Sequence, residues 1–168
     1  MKKFIKGYKC FYKGLINLYD KKYEPHKLYI SSNNIKYGID GNGFHMCEYL
    51  EDTLRFFDNN KELEICEVIG FGNYEKHEDT YYDYFNMYSV EKLYISKILT
   101  RKEIINIALN LSEIRLKRFI TGYKLTNEEL ILFKNKFYNN KTILNYIEYY
   151  QENNKTVFNL TLQNKQLK

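Results

Sequence analysis

The hydrophobic period of this chain changes once, near residue 100, and that switch restricts the fold more than any other feature. Before it, apolar residues come in short runs of period two, broken by Gly, Asn and Asp. Phe4 and Ile5 with Tyr8, Cys10 and Phe11 predict a first strand ending near Gly14. Residues 27–31 and 43–48 predict two short strands, 63–70 the strongest strand, and 87–98 a long last one. Leu50, Leu54 and Phe57 have helical spacing and predict one short helix over 49–57. Residues 73–86 are rich in Tyr and acid without a clear period, and read as a loop. After residue 100 the spacing is helical. Thr100-Arg-Lys-Glu103 and Thr126-Asn-Glu-Glu129 both fit the capping box, in which Thr and Glu satisfy free amides at a helix start. Ser112 heads a helix carrying Leu116, Phe119 and Ile120, and a last helix carries Ile143, Leu144 and Ile147.

Strands followed by helices predict an α+β chain. The expected division is an antiparallel or mixed sheet domain over 1–99, a small helical part over 100–152 packed on it, and a polar tail over 153–168. The 168 residues suffice for a real core. With 18 Tyr, 11 Phe, one Pro and no Trp, the composition points to an AT-rich genome, such as that of a large virus, a phage or a low-GC bacterium. The net charge of +5 is uneven. Residues 1–30 hold eight Lys against Asp20 and Glu24, residues 31–100 six basic against thirteen acidic groups, and residues 101–168 twelve basic against six acidic. A uniformly basic nucleic-acid binder looks different, so weak, salt-sensitive nucleic-acid binding is the most that the basic ends imply.

Three cysteines without a CxxC pair argue against a disulfide framework and for a reducing, cytoplasmic setting. Lys6, Lys9 and Lys13 interrupt any early apolar run, so neither a signal peptide nor a membrane span is expected. No GKS/T, HExxH or GxSxG motif occurs, which removes P-loop NTPases, the common zinc proteases and α/β-hydrolases. His45 and Cys47 share a strand face, yet the spacing of further ligands is too poor to expect a metal. Glu67 and Glu91 are lone acids on apolar strand faces, where a carboxylate must be paired or functional. For Glu91 the expected partner is Lys6 on the first strand. Tyr81, Tyr82, Tyr84 and Tyr88 with Phe85 could stack on bases, but their segment is acidic.

The ordered series Lys6-Gly-Tyr-Lys9, Gly43-Phe-His-x-Cys47 and Glu67-Val-x-x-Gly-x-Gly72 resembles a family of uncharacterised small domains of phages, giant viruses and low-GC bacteria, over roughly residues 3–100. The same stretch is similar to the ADP-ribosyltransferase fold of the poly-ADP-ribose polymerase and RNA 2′-phosphotransferase type. That resemblance implies NAD as cofactor, Glu91 as catalytic acid, and Lys6, Tyr8, Phe44, His45 and Tyr49 as ligand-binding candidates, with Tyr49 or Phe56 stacking on nicotinamide. Where that fold carries His-Gly, this chain has Lys6-Gly7, and a lysine cannot accept the bond that holds the adenosine ribose. The leading expectation is therefore a non-catalytic interaction protein without a cofactor, aimed at a host or defence protein. An NAD-dependent ADP-ribosyltransferase using Glu91 and a non-specific nucleic-acid binder are the alternatives.

Overall fold

The structure is a computed structural model that describes residues 4–32, 35, 42–58, 60–79 and 85–150. The turn-rich stretch around Gly38–Gly41, the tyrosines at 81, 82 and 84, and the polar tail expected over 153–168 lie outside the described residues. The chain is α+β and divides into two compact units, residues 1–106 and 107–168.

The first unit contains β1 (Phe4–Tyr12), β2 (Leu28–Ile30), β3 (Phe44–Cys47), the short helix α1 (Leu50–Leu54), β4 (Leu63–Asp79) and β5 (Phe85–Ile98). All strand pairs are antiparallel. The order is β2-β5-β3-β1-β4, and β4 also pairs with β5, so the sheet closes on itself as a small irregular barrel. Closure depends on the single pair Tyr8↔Cys47 between β1 and β3. Gly7 makes this approach possible. A Cβ there would lie 2.2 Å from the Cys47 carbonyl oxygen and 2.8 Å from the end of Met46. The barrel is filled by Phe11, Met46, Cys66, Val68, Val90, Leu93 and Ile95, all buried.

The expected loop over 73–86 is corrected for its first part. β4 continues to Asp79 and pairs with β5 as far as Asp79↔Phe85. Residues 72–77 are exposed or half-buried, so no buried face imposes an apolar alternation there. The expected helix over 49–57 is also shorter, ending as a helix at Leu54.

A helix α2 (Arg101–Ala108) follows β5. Its capping box is present: the Glu103 carboxylate accepts from the Thr100 N–H at 2.9 Å, and the Thr100 hydroxyl accepts from the Glu103 N–H at 3.3 Å. Lys97 pairs with the same carboxylate and holds its pKa down to about 2, with the Thr100 bonds helping. The second unit contains α3 (Glu113–Gly122), α4 (Asn127–Lys136) and a helix α5 over 141–150. Leu116, Phe119, Ile120, Leu130, Phe133, Ile143 and Ile147 are among its buried residues, with the Phe119 ring 6.3 Å from that of Phe133. The Thr126–Glu129 capping box opens α4, whereas Ser112 precedes α3 without a side-chain cap bond.

Candidate functional site

Among the described residues, two cavities of the first unit meet at β1. The first, of about 400 Å³, lies beside the place where β1 and β3 close the barrel. β1 lends it Tyr8, Lys9 and Cys10, and β3 lends His45, Met46 and Cys47. Thr53, Phe56 and Phe57, from α1 and the turn after it, form another wall, and Asn17, Leu18 and Tyr19 form a rim. Leu18, Tyr19 and Phe56 are 46, 84 and 41 % exposed, so three large apolar side chains face water at the mouth.

The rim is built, not loose. Leu15, just before it, is buried at a φ of 56°, the left-handed region that a non-glycine residue enters only under constraint. The constraint is the Glu64 carboxylate, which accepts from both the Gly14 and the Leu15 N–H at 2.9 Å. The Asn17 side-chain oxygen accepts from Tyr19 N–H at 3.0 Å and Lys21 N–H at 2.9 Å, closing the turn that carries Leu18 and Tyr19.

Lys9 sets the chemistry of this cavity. The residue as a whole is half-buried, but its amine end is enclosed, with Nζ donating to the His45 carbonyl oxygen at 2.6 Å and standing 5.6 Å from the centre of the Phe11 ring. Burial lowers its pKa from 10.5 to about 8, against a smaller upward pull from the thiols of Cys47, Cys10 and Cys66. Among the described residues no carboxylate forms an ion pair with Lys9, and none lines the cavity. The thiols are the reverse case. All three are free and buried, and burial pushes each up, Cys66 to about 12. They are protonated and inert at neutral pH. Burial, then Lys9, pushes the His45 imidazole down, so it is neutral there.

The second cavity, of about 550 Å³, is lined by Lys6, Gly7, Tyr8, Glu48, Glu67, Val68, Ile69 and Ser96. Burial, then Glu67 and Glu51, raises the Tyr8 phenol. Tyr8 thus stands between the two cavities.

The residues singled out in the sequence are therefore dispersed. Tyr8 and His45 line the first cavity, and Lys6 lines the second. Phe44 packs on the barrel core with its ring 6.3 Å from that of Tyr29. Tyr49 is the N-cap residue of α1. Glu91 lines neither cavity. β4 carries one extra residue between Phe71 and Tyr74, opposite Glu91, and Gly72 there has a φ of +79°. The Glu91 carboxylate accepts from the Asn73 N–H at 3.0 Å and pairs with Lys92 at 3.4 Å. The Asn73 bond is the first cause of its lowered pKa. The expected partner, Lys6, is replaced by a backbone amide and the next residue. Lys9, the rim at 17–19 and Phe57 were not singled out from the sequence as site residues. Among the described residues no three of His, Cys, Asp and Glu converge as metal ligands.

The first unit is thus a closed antiparallel barrel with a largely apolar cavity beside the Lys9 amine. Residues 5–106 match the family model described as Domain of unknown function (DUF7666), and the chain belongs to that family. The match ends at the residue that closes the first compact unit. No curated protein and no solved structure matches the chain.

Proposed function

We propose that the barrel unit is a non-catalytic binding module whose ligand site is the cavity beside Lys9. The observation that carries this reading is the cavity itself. Its volume of about 400 Å³ falls within the ~300–1,000 Å³ of small-molecule sites, and its walls are mostly apolar with a few polar groups, as such sites are. The exposed Leu18, Tyr19 and Phe56 at its mouth supply the apolar surface that a ligand would cover. The transferase alternative loses support because the Glu91 carboxylate is engaged with the Gly72–Asn73 bulge. The amino-acid composition supports a viral, phage or low-GC bacterial source, and three free buried thiols support a reducing compartment such as the host cytoplasm. No helix among the described residues is long and apolar enough to cross a membrane.

The test uses the neutral fluorescent probe N-phenyl-1-naphthylamine. Saturable binding is expected, weakened roughly tenfold or more in Leu18→Asp and Phe56→Asp, because each puts a charge on the apolar mouth. Both positions are exposed, so the fold should survive. Absence of saturable binding, or binding that neither variant disturbs, overturns the reading. So does NAD cleavage by the wild type that Glu91→Gln abolishes.

A further inference from the structure

We infer that the ligand of the Lys9 cavity is a small organic acid with an apolar, ring-sized body and one carboxylate, and that this carboxylate pairs with the Lys9 ammonium. The inference rests on the cavity being a ligand site and adds the chemical class of the ligand. Three observations meet in it. The Lys9 amine is enclosed, yet its hydrogen-bond partner is a neutral carbonyl, that of His45. No acidic side chain lines the cavity, and no described carboxylate forms an ion pair with Lys9. The rest of the lining is apolar or neutral, with Phe56, Phe57, Met46 and Met87 offering surface to a ring.

A cation taken out of water is stable only with a counter-charge or further hydrogen bonds. The barrel provides one carbonyl and no counter-charge, so an incoming carboxylate completes what the fold leaves incomplete. An ammonium has three donors, and the carbonyl of His45 uses one of them. A dianionic ligand would bring a charge that nothing in the lining balances, since His45 is neutral. A long polar ligand would leave its own groups unpaired against Met and Phe. A single carboxylate on an aromatic body fits both ends.

The pH dependence follows. The groups that act on Lys9 are the thiols of Cys10 on β1, Cys47 on β3 and Cys66 on β4, all raised, and the imidazole of His45 on β3, lowered. Tyr8, its neighbour on β1, is also raised, and Glu51, Asp52 and Arg55 on and after α1 act on Cys47. With the thiols and the Tyr8 phenol pushed up and the His45 imidazole pushed down, Lys9 is the shifted group that changes charge between pH 7 and 9.5. Binding that needs its ammonium weakens as pH rises above about 8.

The experiment compares 2-naphthoate with its neutral isostere 2-naphthamide by calorimetry, on the full chain. In the wild type at pH 7 the naphthoate should bind roughly tenfold tighter or more, the worth of one charge-assisted hydrogen bond in an apolar site. In Lys9→Met the preference for naphthoate over naphthamide should vanish. As a check independent of any variant, wild-type affinity for naphthoate should fall as pH rises from 7 to 9.5 and approach that of naphthamide, whose own affinity stays unchanged. Naphthamide binding as well as naphthoate, or a naphthoate affinity flat from pH 7 to 9.5, overturns the ion pair and leaves the cavity reading standing. If neither compound binds, the cavity reading itself fails.

Discussion

Replacing Lys9 by Met should stabilise the barrel unit at neutral pH. A pKa of about 8 in place of 10.5 means that the fold disfavours the charged form by roughly 3 kcal/mol at pH 7, at 1.36 kcal/mol per unit. Methionine keeps most of the stem's length and flexibility and removes the ammonium. The bond from Nζ to the His45 carbonyl is lost with it, a loss of about 1–2 kcal/mol. The burial penalty is the larger, so the net gain is about 1–2 kcal/mol, or a Tm higher by roughly 5–10 °C. The pH dependence separates this cause from improved packing. The folded pKa lies below the unfolded one, so the unfolded state holds more protons between pH 8 and 10.5 and wild-type stability rises through that window. The gain of Lys9→Met should be full below pH 8, shrink by about 1.4 kcal/mol per pH unit above it, reverse near pH 9 and settle as a loss above 10.5. Urea denaturation of both proteins at pH 7, 8, 9 and 10 reads this. Destabilisation at pH 7, or a difference that does not change with pH, refutes the reasoning. A buried charge that lowers stability is what a functional group looks like when packing alone does not explain it.

Four further outcomes are expected. Gly7→Ala should destabilise the barrel unit by about 3 kcal/mol or more, measured by denaturation, because its Cβ would meet the Cys47 carbonyl across the closure. Gly72→Ala should lower stability by about 1–3 kcal/mol, through its positive φ and a Cβ within 2.6 Å of the Glu91 carboxylate; combined with Glu91→Ala the loss should be smaller than the sum, and strict additivity would contradict the clash. The Cys10, Cys47 and Cys66 thiols should react with a disulfide reagent only at the rate of unfolding, and rapid labelling of native protein would contradict their burial. Glu103→Gln should lower the Tm at pH 6 and lose that effect as pH falls from 4.5 towards 2, since the folded pKa is depressed and the stabilisation exists only while the carboxylate is charged.

The elements that a single local pattern determines were legible in the sequence. Leu63–Gly70 reads as a strand because it is apolar and bounded by glycine, and both capping boxes are written in four consecutive residues. The β4 arm beyond Gly72 was not legible, because residues 72–77 are exposed or half-buried and pair through their backbone, which leaves no mark in side-chain pattern. The same holds for Glu91. Its spacing puts it on the strand face of Leu93 and Ile95, but the extra residue on β4 opposite it offers the carboxylate a backbone amide, and an extra residue has no signature beyond Gly72 itself. The role of Lys9 was the least legible. It is a charge two residues before Phe11 in an apolar strand, the same criterion that drew notice to Glu67 and Glu91. What encloses its amine is the crossing of β3, thirty-six residues further on, which no local window contains.

The most direct test is the titration of Lys9 itself, followed by NMR on protein with isotope-labelled lysine side chains, with the signal assigned by its loss in Lys9→Met. Lys9 should titrate near pH 8 in the free protein. Saturation with 2-naphthoate should move that midpoint upward by about one unit or more, and saturation with 2-naphthamide should not raise it. A Lys9 that titrates at the ordinary 10.5, or that ignores the naphthoate, would contradict the claim that this amine is the cation of a ligand site.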